Sequence, residues 1–119
     1  MTNPFKDVDQ FATACDQPPS KENYNMYLGL IDEEYQELQD GLFANDPVEQ
    51  IDALIDILVV TVGAIRAAGW DGEGAWQEVM RTNFAKIDPA TGKVRKRNDG
   101  KVLKPEGWQA PDLAKFVGG

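Results

Sequence analysis

Apolar residues recur along the chain at helical spacing, in stripes separated by short polar breaks. In FKDVDQFATAC (5–15) they fall at Phe5, Val8, Phe11, Ala12 and Cys15, which predicts a short first helix. The prolines of QPPS (17–20) stop it. Tyr24, Tyr27, Leu28, Ile31, Tyr35, Leu38 and Leu42 then define a second helix, from Lys21 or Glu22 to Gln39, ending near Asp40-Gly41. NDPVEQ (45–50) opens a third, with Asp46 as N-cap, Pro47 in the first turn and Glu49 as the N3 partner of a capping box. It runs to Ala68 and is stopped by Gly69. Asp71-Gly72 opens a fourth helix reaching about Lys86, with Trp76, Val79, Met80, Phe84 and Ile87 on its inner face. The pattern predicts an all-α fold, a four-helix bundle over about residues 5–87.

From Asp88 the helical period is lost. TGKV and NDGKV read as turns of a small hairpin; otherwise residues 88–119 form an extended tail. Lys93, Arg95, Lys96, Arg97, Lys101 and Lys104 place half of the 12 Lys and Arg residues here. The tail is then either a solvated arm that folds back on the body or a partner subunit, or a source of cations for a substrate's phosphates.

Composition narrows the function. A chain of 119 residues supports one domain, 1–119, whose modest core a subunit interface would supplement. Its 20 acids against 12 bases give a net charge of −8, which argues against nucleic-acid binding. A phosphorylated small molecule stays open, because divalent cations bridge carboxylates to phosphates. One cysteine, Cys15, excludes an intrachain disulfide and fits a reducing cytoplasm. No secretory or membrane-spanning segment is visible. Histidine is absent, so catalysis falls to carboxylates, Lys, Asn, Tyr and metal.

The anomaly lies in the third helix, IDALIDILVVTVGAI (51–65). On a wheel of about 100° per residue, Glu49, Asp52, Asp56 and Gly63 fall within about 60° of one another, flanked by apolar side chains. A helix apolar nearly all round is expected to be buried on most faces, where carboxylates must be paired or metal-bound. Gly63 on that line serves either close helix packing or space for a ligand. The second helix offers a counterpart in LIDEEYQEL (30–38), with Glu34 and Glu37 beside the apolar stripe and Glu33 farther from it. Antiparallel helices presenting acids this way build a divalent-metal site, and oxygen-only donors favour Mg²⁺ or Mn²⁺. The plainer alternative is surface charge on a non-catalytic helical interaction protein.

The blocks EExxEL, DALIDILVVTVGA, EVMRTNFAKID and DGKVLKPEGWQAPDL, in that order over roughly residues 22–113, resemble the all-α NTP pyrophosphatase superfamily. They look closest to its MazG-like and phosphoribosyl-ATP pyrophosphohydrolase-like branch, found in bacteria and phages. The resemblance implies Mg²⁺-dependent hydrolysis of a nucleoside triphosphate to monophosphate and pyrophosphate, with phosphoribosyl-ATP as the alternative substrate. It implies metal ligation by Glu34, Glu37 and Asp56, and Glu33 as a further ligand or water-orienting base. The usual Glu three residues before Asp56 is Ala53 here, so Asp52 is the candidate replacement. Asn83 and Lys86 match nucleotide- and phosphate-binding positions; Arg81 and the tail cation Lys104 are further substrate-binding candidates. The resemblance also implies a homodimer or homotetramer.

Overall fold

A computed structural model describes residues 2–118. It contains four α-helices in the expected order and a short C-terminal β-hairpin. The chain falls into two compact units, residues 1–72 and 73–119.

The first unit is built on α1 (Pro4–Ala14), α2 (Lys21–Phe43) and α3 (Pro47–Ala67). Each start has a local cause. Asn3 accepts from the Lys6 amide at 2.9 Å, Ser20 from Asn23 at 3.0 Å, and Asp46 from Val48 and Glu49 at 3.1 and 3.2 Å. The reciprocal half of the expected capping box is missing, because the Asp46 amide donates to the Gly41 carbonyl instead. Gly41 does not end α2, which continues through Phe43. Its missing side chain serves packing: a Cβ there would lie 3.2 Å from Glu49 Cβ and 3.3 Å from the Gln50 amide. The turn from α2 to α3 is completed by Asn45 in the left-handed region, at φ 52°.

Helices α2 and α3 pack along their lengths, and α1 packs on α3. Tyr27, Val60, Ala64 and Ala67 form the buried cluster, with Tyr24, Leu30 and Ile31 against it. Arg66 fastens α1 to this pair. It donates to Asp9 at 2.6 Å, to the Gln17 carbonyl at 2.6 Å and to Thr13 Oγ1 at 3.2 Å. The expected burial of α3 on most faces is not observed. Ile51, Leu54, Ile55 and Leu58 are 47–61 % exposed.

In the second unit α4 (Gly72–Phe84) stops two residues before Lys86. Its predicted inner face is only partly inward, since Trp76 and Phe84 are exposed and Thr82 is the buried residue. Both predicted turns form. Strand β1 (Ile87–Asp88) pairs antiparallel with β2 (Lys93–Val94), and Gly92 takes the positive φ of 69° that this turn needs. Farther along, Lys96 bridges Val102 across NDGK, with Gly100 at φ 88°. A 3₁₀ turn (Ala114–Phe116) follows. Among the described residues no helix is long and apolar enough to cross a membrane.

Candidate metal centre

Helical periodicity places Glu34 and Glu37 one turn apart on α2, and α3 carries Asp56 beside them. The three carboxylates each offer an oxygen, all within 4.8 Å of one another. Glu34 and Asp56 are half-buried and Glu37 is exposed. Three acids this close repel when ionised, and Glu34 bears the consequence. Burial, a hydrogen bond with Glu37, and the charges of Glu37, Asp56 and Asp52 push its carboxyl up to about 7. Its Oε2 is buried without a hydrogen-bond partner. An orphaned carboxylate oxygen among convergent oxygen donors fits a hard divalent cation, which supplies the missing partner and offsets the repulsion.

The other acids divide around this group. Asp52 lies outside it and acts on Glu34 through its charge. Glu33 is exposed and also lies outside it. Ala53, where the resemblance expects an acid, is buried at 2 % exposure. Gly63 settles as a packing glycine: a Cβ there would lie 2.7 Å from Tyr27 Cδ1 and 2.9 Å from Cζ. The space that the sequence left open for a ligand is occupied by the Tyr27 ring, whose hydroxyl donates to Gln17 Oε1 at 2.7 Å.

The remaining candidates belong to the second unit. Lys86 Nζ donates to Asn83 Oδ1 at 3.1 Å. Its ammonium also sits 5.1 Å from the Trp108 ring centroid, and that of Lys104 sits 4.7 Å from it. Arg81 is engaged by Glu78 through two contacts of 2.8 and 3.0 Å. That ion pair and the Asp112 amide hold the Glu78 carboxyl down at about 2. Sequence reasoning missed Trp108 as an organising residue. It is half-buried, and its indole donates to the Thr82 carbonyl at 2.7 Å. The one signal was a tryptophan in a segment without helical period.

The paired helices α2 and α3 thus carry convergent carboxylates that form a candidate divalent-metal site in an all-α fold. Comparison with known families agrees: the profile described as phosphoribosyl-ATP pyrophosphohydrolase matches residues 9–83. The chain belongs to that family. No curated protein matches it.

Proposed function

We propose that the protein is a divalent-metal-dependent pyrophosphohydrolase that cleaves the α–β phosphoanhydride of an adenosine triphosphate-type substrate. The Glu34, Glu37 and Asp56 group carries this reading. The family match favours phosphoribosyl-ATP, giving phosphoribosyl-AMP and pyrophosphate, over the (d)NTP expected first from the sequence. The (d)NTP reading keeps one observation in its favour. The matched span ends at residue 83, so the Trp108 segment with Lys86 and Lys104 lies beyond it.

Glu34, Glu37 and Asp56 would hold Mg²⁺ or Mn²⁺, with Asp52 adding negative charge beside them. Bound there, the cation supplies positive charge to the phosphate oxygens and acidifies water. Glu33, exposed and outside the ligand group, would accept the proton of the attacking water, the role the family resemblance implies for it. The water oxygen would bond to the α-phosphorus as the α–β anhydride P–O bond breaks, and the bridging oxygen would leave with pyrophosphate. Asn83 would contact the nucleotide, while Lys86 and Lys104 would bind phosphate oxygens. Arg81 would join them only on leaving Glu78.

The exposed row Ile51, Leu54, Ile55 and Leu58 supports self-association, as a homodimer or homotetramer. Light scattering on the eluting protein measures this directly, and a monomer at all concentrations would contradict it. Competing phosphoribosyl-ATP against a panel of (d)NTPs, with products separated by chromatography, tests the substrate. A higher kcat/KM for phosphoribosyl-ATP supports the first reading, and a higher value for any (d)NTP supports the second.

A further inference from the structure

The start of α2 and the end of α3 enclose a cleft of about 300 Å³ within the first unit. Tyr24, Ala67, Ala68 and Trp70 line it together with Pro19 and Lys21. It is separate from the carboxylate triad. Tyr24 lies about 15 Å from Glu34 along α2, and Ala67 about 16 Å from Asp56 along α3, at about 1.5 Å per residue. Lys21 carries the only full charge in the lining, which holds no carboxylate. Among the described residues Lys21 forms no salt bridge.

Both sides of the cleft are set by local backbone structure. Gly69, at φ 78°, reverses the chain after α3; its amide donates to the Arg66 carbonyl at 2.9 Å, and the Trp70 amide to the Ile65 carbonyl at 3.3 Å. This turn carries Trp70 back to Tyr24, with ring centroids 5.5 Å apart and planes at 65°, an edge-on contact. On the other side Ser20 Oγ accepts from the Asn23 amide at 3.0 Å, and Asn23 Nδ2 donates to the Pro18 carbonyl at 2.7 Å. Trp70 nevertheless remains 39 % exposed, whereas Ala67 beside it is buried. A fixed tryptophan that is still open offers aromatic surface at little ordering cost.

An aromatic ring against Tyr24 and Trp70 gains apolar burial and ring–ring contact, the second of which an aliphatic ring of the same size lacks. The volume stands at the lower end of the range of about 300–1,000 Å³ typical of small-ligand sites, which suits one ring with a short substituent. A single ammonium matches a single negative charge, and a carboxylate accepts its hydrogen bonds. We propose that this cleft binds a small monoanionic aromatic acid, with its ring against Tyr24 and Trp70 and its carboxylate on Lys21. Such binding needs neither the metal nor turnover.

Titration of the full chain in EDTA with benzoate and phenylacetate, followed through amide NMR shifts, is the test. Saturable shifts are expected at residues 20–24 and 67–70, with benzamide and cyclohexanecarboxylate each at least about fivefold weaker. Lys21→Gln should weaken benzoate about tenfold, the loss of one charge-assisted contact. Lys21 is exposed, so circular dichroism should show an unchanged fold. Trp70→Leu should weaken benzoate while leaving the Lys21 charge in place. No saturation by about 10 mM, equal affinity for benzamide or cyclohexanecarboxylate, or unchanged affinity in Lys21→Gln would each overturn the proposal. Adenosine binding more tightly than benzoate would also overturn it, by making the cleft a nucleoside site. Because EDTA removes the metal, these outcomes are read separately from turnover: an inactive protein that binds benzoate here fails only as a hydrolase.

Discussion

Glu34 on α2 and Asp56 on α3 bring carboxylate oxygens within 4.8 Å of each other, with Glu37 as the third member of the group. Such an arrangement is unfavourable without a cation, so it makes a prediction about binding. Wild-type protein should bind Mn²⁺ and Mg²⁺ in calorimetry, and Asp56→Asn should weaken Mn²⁺ by at least about tenfold. Asp52→Asn should have a smaller effect, since Asp52 lies outside the group, and Glu49→Gln should be near neutral. A larger loss in Glu49→Gln than in Asp56→Asn would contradict the assignment.

The Glu34 carboxyl makes the metal-free protein sensitive to pH. Its folded-state value of about 7 exceeds the ordinary 4.5, so between these values the folded state holds a proton that the unfolded state has lost. Stability therefore falls as pH rises from about 4.5 to about 7 and levels off above. Thermal unfolding in EDTA from pH 5 to 8 should show this decline in wild type, and a weaker one in Glu34→Gln. Saturating Mg²⁺ should raise the melting temperature most at the alkaline end, where the carboxylates are ionised.

Gly63 and Tyr27 predict a packing defect. A methyl group at residue 63 would collide with the Tyr27 ring, which is buried and tied to Gln17. Gly63→Ala should cost about 1–3 kcal/mol in urea denaturation, the usual range for overpacking. Gly29, beside which an added Cβ meets nothing within 4 Å, provides the control. Gly29→Ala should be neutral or stabilising.

Glu78 links α4 to the closing segment, accepting from Arg81 and, at 2.8 Å, from the Asp112 amide. Its lowered value of about 2 means that this contribution is present above the ordinary carboxyl range and is lost only as pH falls toward 2. Glu78→Gln should increase amide exchange around residue 112 at neutral pH. Unchanged protection there would show that the contact does not hold the segment.

Features with local causes were legible in the sequence. The Asp46 cap, Pro47 and the apolar stripes of α2 and α3 follow from contacts within a few residues, and the same periodicity set Asp56 among apolar neighbours. Both Gly-containing turns of the closing segment were readable for the same reason. What the pattern missed depends on distant partners. Gly41 reads as a helix stop until the close approach of Glu49 and Gln50 shows what a small residue within α2 makes room for. Arg66 has no nearby sequence signal for its role, because its partners Asp9, Thr13 and Gln17 lie 57, 53 and 49 residues away. The Trp108–Thr82 bond spans 26 residues and leaves no periodic trace. The acid triad was reached by joining the two helical patterns to a family resemblance; neither helix alone distinguished it from surface charge.

Pyrophosphate release is the most direct measure of the central claim. Wild-type protein and Asp56→Asn, both verified as folded, are incubated with phosphoribosyl-ATP and with a (d)NTP panel in Mg²⁺ and in EDTA. The account predicts monophosphate and pyrophosphate in equal amounts from wild type in Mg²⁺ only, with Asp56→Asn at least about a hundredfold slower. Orthophosphate as the first product, equal turnover in EDTA, or an undiminished Asp56→Asn would contradict it.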